Sequence, residues 1–119
     1  MYTNTWTGTG IGVAILDTGL YPHIDFGERI RGFQDFLGHR PYPYDDSGHG
    51  THVAGILAGD GTASDRRYQG VAPGCHLVAD KSTRQAWKRT LTGCLRHSSG
   101  SLSIRTSMEY ESSIFLWAL

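Results

Sequence analysis

The chain lacks several features by which large classes of protein are recognised. Lys plus Arg and Asp plus Glu each number 11 among 119 residues, so no excess of positive charge predicts nucleic-acid binding. No apolar run approaches the roughly 20 residues that a membrane-spanning helix needs, so we expect no membrane insertion. The two cysteines, Cys75 and Cys94, are too few for a disulfide framework, and both are predicted to be free thiols.

The first ten residues also lack the marks of a secretory signal. The stretch MYTNTWTGTG has neither a charged n-region nor an apolar h-region. As written, the chain would stay in the cytoplasm, but the sequence leaves its compartment unknown. Its length fits one small domain, which can bury a core with little margin.

The pattern of residues divides the chain near residue 80. Residues 1–79 are rich in glycine and contain two short apolar runs, Gly12–Asp17 and VAPGCHLVA, which predict buried strands. Between these runs, HGTHVAGILAG has apolar residues at helical spacing and a glycine at its end, so it predicts a helix over about 49–58. A strand, a helix and a strand in this order predict an α/β fold with a parallel sheet.

The other segments predict little regular structure. LYPHIDFGERIRGFQDF is predicted to be loop with short extended pieces, because Pro22 and Gly27 interrupt it. RPYPYDDSGHG is predicted to be a loop for the same reason. After Asp80 the chain becomes basic and rich in Ser and Thr, with no clear period of a helix or a strand, and it closes with the apolar run IFLWAL.

Asp17 is the first candidate for chemistry. It ends the first predicted strand, and open α/β sheets place their sites at the carboxyl ends of their strands. The alternative is a solvated aspartate in a turn, which is the common role of D-T-G taken alone.

Two histidines three residues apart, His49 and His52, form the second candidate. His49 lies at the predicted helix start between Gly48 and Gly50, which allow backbone and substrate to approach closely; alternatively it only caps its helix. A metal site would use both histidines, but zinc needs three or four ligands and the helix lacks the glutamate of H-E-x-x-H. No metal site is therefore predicted, and His52 is predicted to be packed with its ring hydrogen-bonded.

Three segments taken together resemble the subtilisin-like serine proteases, or subtilases. GTGIGVAILDTGLYPHIDF, YDDSGHGTHVAGILAG and YQGVAPGCHLVA follow the order of that family's aspartate block, histidine block and next strand. The resemblance covers residues 8–79. It implies the N-terminal part of a subtilisin-like three-layer α/β fold with a mostly parallel sheet.

The resemblance also implies a function, a serine endopeptidase that acts on proteins or peptides. Asp17 matches the triad aspartate, His49 matches the general base, and His52 matches the family's packed second histidine. A serine would attack the peptide carbonyl, His49 would take its proton, and Asp17 would orient and stabilise the imidazolium. Calcium is common in the family, and many of its members are secreted.

The resemblance does not extend to a nucleophile. The family presents its serine in G-T-S-M-A-x-P, whereas the nearest string here, RTSMEYES around Ser107, has Arg105 for the glycine and Glu109 for the alanine. Ser107 follows His49 by 58 residues (107 − 49), closer than the family's layout permits, so it is not expected to be the nucleophile. The family's oxyanion asparagine is missing as well, since Asn4 is the only asparagine. We therefore expect the chain as written to be inactive, with a non-catalytic peptide-binding remnant as the alternative.

Codon constraints suggest an origin for residues 80–119. Met108 and Trp117 each have a single codon that ends in G, and the codons of Glu109 and Ala118 begin with GA and GC, so the shifted codons that start at these bases encode glycine. With synonymous choices, that frame gives a helix, a turn and a buried strand ending in S-L-G, which resembles the next subtilase segment. We therefore predict that 1–79 is the N-terminal part of a subtilase catalytic domain and that 80–119 is a non-matching, frameshifted tail that truncates it. The alternative is a divergent tail.

Overall fold

The structure is a computed structural model that describes residues 6–82 and 113–118. Its strands and helix, in chain order, are β1 (Ile11–Asp17), β2 (Ile30–Asp35), α1 (His49–Ala58), β3 (His76–Lys81) and β4 (Ser113–Ala118). Single turns of 3₁₀ helix lie at Ile24–Phe26 and Thr62–Ser64.

The four strands form one sheet in the order β2-β3-β1-β4. β3 runs parallel to both of its neighbours, with Asp17 at the end of β1 opposite Lys81 at the end of β3. β4 runs antiparallel to β1. Parallel neighbours need a crossover connection, and α1 lies on the connection between β1 and β3. The predicted α/β fold with a mostly parallel sheet is confirmed.

The core lies between one face of the sheet and helix α1. Successive residues of a strand point to opposite faces, so alternate residues of β1 and β3 turn toward the helix. The buried residues of this core are Val13, Ile15, Leu20, Phe26, Ala54, Ala58, Cys75, Leu77 and Ala79. The helix contributes mainly alanines, which lets its backbone lie close to the strands. Cys75 is a free thiol, as predicted, and Cys94 lies outside the described residues.

The predicted elements match the observed ones except between β1 and α1 and at the apolar run near residue 119, which forms β4 although no strand was predicted there. The helix predicted over about 49–58 is α1, and the two predicted strands are β1 and β3. The stretch predicted to be loop with short extended pieces contains β2, a strand of six residues. Its register shifts between Ile30 and Gly32, which breaks the alternation of apolar and polar residues by which a strand is recognised. Pairing with β3 supplies the hydrogen bonds that the sequence pattern does not reveal.

Candidate functional site

Asp17 and His49 meet where β1 ends and α1 begins. The Nδ1 atom of His49 lies 2.8 Å from the Oδ1 atom of Asp17. The side chain of Asp17 is 1% exposed, whereas that of His49 is 48% exposed. A buried carboxylate thus contacts the inner side of an imidazole whose other side is open to the surface.

Two glycines allow α1 to bring His49 so close to β1. Gly48 precedes the helix with φ of 89°, a left-handed conformation that other residues rarely adopt. Gly50 packs against the strand exit, where an added Cβ would lie 2.3 Å from the carbonyl oxygen of Gly19. The histidine therefore depends on a tight turn before it and on a close backbone contact after it.

Asp45 connects the exit of β1 to the first turn of α1. Its Oδ1 accepts the hydroxyl hydrogen bond of Thr18 at 2.8 Å, and its Oδ2 accepts bonds from the backbone N–H and the hydroxyl of Thr51 at 2.9 and 2.6 Å. The Thr18 hydroxyl in turn accepts the N–H of Gly50 at 2.9 Å. These bonds satisfy backbone donors of the helix start that have no partner within the helix.

The charge of Asp45 is well stabilised. Burial raises its pKa, but hydrogen bonds from Thr51, from the backbone N–H of Gly48 and from Thr18 outweigh burial and lower the pKa to about 2. Asp45 is therefore a carboxylate at neutral pH, placed where a helix N-terminus favours negative charge.

Lys81 supplies a buried positive charge beside the same strand ends. It is 6% exposed, and its Nζ donates to the carbonyl of Thr18 at 2.6 Å and to the carboxylate of Asp46. The hydrogen bond from Lys81 also lowers the pKa of Asp46. The last residue of β3 thus holds the exit of β1 and the loop before α1 together.

His52 is not packed, so that prediction was wrong. It is exposed, because the residues of α1 that point to the sheet are Gly50, Ala54 and Ala58, and His52 lies on another side of the helix. A groove of about 790 Å³ runs along that side. Its lining includes Tyr21, His23, Phe26, His52, Ile56 and Tyr68.

The part of the chain that the structure describes contains no cluster of metal-binding side chains of the usual types. No three or more His, Cys, Asp or Glu side chains of residues 6–82 and 113–118 are grouped so that they could hold one. The carboxylates of Asp25 and Asp60, which are the right chemistry for calcium, accept hydrogen bonds from Ala63 and Thr62. No chemical step is therefore assigned to a calcium ion. None of the described helices is long and apolar enough to span a bilayer.

The sequence indicated two of the residues at this site and missed three others. Asp17 and His49 were candidates, and Ser107 lies outside the described residues. Thr18, Asp45 and Lys81 were not singled out. Asp45 had no standard capping signal, because it lies three residues before Gly48, the N-cap of α1. Lys81 had no signal either, because a lysine at the end of a strand is usually a solvated side chain.

The α/β fold and the hydrogen-bonded pair of Asp17 and His49 define a class of protein. The chain is an α/β protein in which a buried aspartate at a strand end is hydrogen-bonded to a histidine at a helix start, the arrangement that orients a base in serine-type catalysis. The model of the subtilase family matches residues 8–99, and the chain belongs to that family. This match extends beyond residue 79. The predicted boundary near residue 80, between the subtilase part and the non-matching tail, stays a prediction.

Curated relatives agree with this assignment. The chain is 46% identical over 87 residues to "Serine protease AprX" of Bacillus subtilis (strain 168), covering 73% of this chain and 20% of that protein. It is 44% identical over 75 residues to "Subtilisin BL" of Lederbergia lenta, covering 63% and 26% respectively. For "Alkaline elastase YaB" of Bacillus sp. (strain YaB), the identity is 39% over 88 residues, covering 74% and 22%. The chain therefore spans about a fifth to a quarter of the length of these relatives.

Proposed function

We propose that this chain carries the aspartate and histidine of a serine endopeptidase, with Asp17 orienting His49 as general base. The observation that supports the proposal most directly is the 2.8 Å contact between His49 Nδ1 and Asp17 Oδ1. The substrate class that follows from the family is proteins or peptides.

The geometry suits that chemistry. When His49 donates its Nδ1–H to the buried carboxylate of Asp17, its Nε2 is the ring nitrogen that can accept a proton. A serine hydroxyl that attacks a peptide carbonyl would pass its proton to Nε2, and the imidazolium would then protonate the leaving amine. Asp17 would stabilise the imidazolium without itself taking the proton.

We assign the nucleophile of this proposal to no residue of this chain. Ser107 has the wrong sequence context and spacing for that role, so we propose that residues 1–119 alone do not hydrolyse peptide bonds. A fluorophosphonate probe tests this point, because it labels an activated serine. Labelling of Ser107 that is lost in Ser107→Ala would overturn this proposal.

A chimera tests the role of Asp17 and His49. Residues 8–79 would replace the matching segment of the Bacillus subtilis relative, and hydrolysis of a fluorogenic peptide would be measured. We expect activity that falls by about 10³-fold or more in Asp17→Asn and in His49→Ala, since the members of a triad act as a unit. His52→Gln is the matched control and should retain activity. A folded chimera that stays active after His49→Ala would refute the proposal.

The groove beside α1 favours a second candidate function, peptide binding without catalysis. Tyr21, Ile56 and Tyr68 line it and are 57%, 59% and 72% exposed, so apolar surface is available to a peptide. Titrating a library of short peptides against the chain, followed by tyrosine fluorescence, tests this role. Peptide binding that is weakened by Tyr68→Ala but not by Tyr42→Ala would support this function. Tyr42 is the control because it is as exposed as Tyr21 but does not line the groove.

Two further properties rest on the family alone. Calcium binding and secretion are common among subtilases; for this chain calcium binding is an expectation from the family, and no compartment is predicted. Dialysis against a chelator followed by calcium titration, read out as a change in melting temperature, tests the first of them.

A further inference from the structure

We infer that Asp45 is a positioning residue for His49, holding the first turn of α1 where the histidine ring meets Asp17. The inference rests on the proposed function of the Asp17–His49 pair. Asp45 does not act on the ring or on a substrate directly in this role; it acts through the hydroxyl of Thr18 and through Thr51 in the first turn of α1.

The connections of Asp45 reach the chain neighbours of both partners. Thr18 follows Asp17 directly, and its hydroxyl donates to Asp45 at 2.8 Å. The same hydroxyl accepts the N–H of Gly50, which follows His49 directly, at 2.9 Å. A displacement of Asp45 would therefore disturb the residues next to Asp17 and His49 at the same time.

A second set of bonds fixes the rotation of the helix start. Asp45 accepts both the N–H and the hydroxyl of Thr51, and that hydroxyl also accepts the N–H of Tyr21 at 3.0 Å. The backbone of Asp45 itself pairs with Gly19 in an isolated antiparallel bridge. With anchors on the strand exit and on the helix, α1 has little freedom to turn His49 away from Asp17.

The position requires a carboxylate of this length. The donors that converge on its two oxygens include the Thr18 hydroxyl, the Ser47 N–H, the Thr51 N–H and the Thr51 hydroxyl. An asparagine would offer an NH₂ group to one pair of these donors and lose a bond there. A glutamate would keep the charge but place its oxygens one methylene further out.

The tautomer of His49 is the readout that separates positioning from plain stabilisation. The bond to Asp17 favours the neutral form with its proton on Nδ1. A cap that merely stabilised the helix could be removed with loss of stability and no change of tautomer. ¹⁵N NMR of the imidazole nitrogens at neutral pH measures the ratio of the two tautomers in the whole chain.

Asp45→Asn and Asp45→Glu are the primary variants, and the exposed Asp65→Asn is the control. We expect the ratio of Nδ1–H to Nε2–H tautomer in His49 to fall about fivefold or more in both Asp45 variants, in line with the loss of a charged hydrogen bond. The control should leave the ratio unchanged. If Asp45→Glu or Asp45→Asn keeps the wild-type ratio in a folded chain, Asp45 is not a positioning residue.

Thr18→Val and Thr18→Ser test the same link without changing charge. Valine removes the bridging hydroxyl at constant shape, and serine retains it. We expect the tautomer ratio to fall in Thr18→Val and to stay near wild type in Thr18→Ser; equal ratios in both would overturn the inference, even if the Asp45 variants fail to fold.

Asp17→Asn separates this inference from the proposed function. If Asp17→Asn leaves the tautomer ratio unchanged, the Asp17–His49 pair itself fails and this inference fails with it. If Asp17→Asn changes the ratio while the Asp45 and Thr18→Val chains keep it, the pair stands and only the role of Asp45 is wrong.

Discussion

At the scale of single residues, the site combines charges that are buried with a histidine that is not. Asp17 and Lys81 end adjacent strands and are each almost fully buried, and each is satisfied by specific hydrogen bonds. A buried charge is tolerated only with such partners. His49 stays half-exposed, as the proposed role of general base requires if a substrate is to reach it.

A substitution of Gly50 tests how closely helix α1 must approach the end of strand β1. An alanine Cβ there would lie 2.3 Å from the carbonyl oxygen of Gly19 and 3.2 Å from the side chain of Asp17. We expect Gly50→Ala to lower the free energy of unfolding by about 1–3 kcal/mol, because α1 must move outward. Urea unfolding followed by circular dichroism measures the change.

Gly55 on the same helix is the matched control. Its added Cβ would meet no heavy atom within 4 Å outside its own helix and chain neighbours. Gly55→Ala should raise the free energy of unfolding by about 0.5–1 kcal/mol, because alanine is the better helix former. Equal effects of the two substitutions would show that α1 does not pack on the β1 exit as described.

Asp80 should make the stability of the chain depend on pH. Burial raises the pKa of Asp80 to about 6, above the ordinary value of 3.8. The folded state therefore binds more protons than the unfolded state between about pH 4 and 6, and the contribution of Asp80 to stability falls as pH rises through that window. We expect Asp80→Asn to stabilise the chain more at pH 7 than at pH 4.5, as measured by urea unfolding at both pH values.

An exposed carboxylate provides the comparison for Asp80. Asp65 lies on the surface with φ of 55°, a conformation that asparagine tolerates well. Asp65→Asn should change stability little at either pH. A stabilisation by Asp80→Asn that is the same at pH 4.5 and 7 would contradict the assignment of a raised pKa.

At the scale of elements, the guanidinium of Arg29 joins three segments at the end of α1 that is opposite His49. Arg29 donates to the carbonyl oxygens of Asp25 at 2.6 Å, Ala58 at 2.7 Å and Cys75 at 3.1 Å. These carbonyls belong to the first 3₁₀ turn, the end of α1 and the residue before β3. The planar fork of arginine can serve several acceptors at once, which an ammonium on a flexible stem does poorly.

Arg29→Lys should therefore destabilise the packing of α1 against the sheet. We expect a loss of about 1–3 kcal/mol, the size expected for hydrogen bonds to a charged group. Arg31→Lys, on the exposed side of β2, should cost less than about 0.5 kcal/mol. Urea midpoints of the two variants provide the test, and similar midpoints would show that the three-way contact does not contribute to stability.

At the scale of the whole molecule, the chain contains part of a subtilase. The family match covers residues 8–99, whereas the relatives are about four to five times longer than the matched part, as the coverage of 20% and 26% shows. A triad assembles its residues from distant parts of a chain, so an aspartate and a histidine alone do not complete one.

The origin of residues 80–119 is best tested in the nucleotide sequence. We predict that the shifted frame continues from near residue 80 through the S-L-G strand and on to a G-T-S-M-A segment. Resequencing the locus measures this. Stop codons that close the shifted frame shortly downstream would exclude a frameshift and favour a divergent tail.

The sequence by itself determined the family, the helix and the two candidate residues. These predictions rest on local signals. The glycines on either side of His49 reflect what a tight turn requires, and the apolar run before Asp17 reflects what a buried strand requires. The exposure of His52 was mispredicted, since the side of α1 that faces the sheet depends on the position of the strands.

Only the tertiary structure decided which distant residues hold the pair together. β2 is a strand because β3 pairs with it, and its irregular register hides the pattern. Thr18, Asp45 and Lys81 lie far apart in sequence and converge because parallel strands end at one edge of the sheet, beside the start of the helix that crosses over. A sequence specifies such contacts through the whole fold, and no local pattern of residues records them.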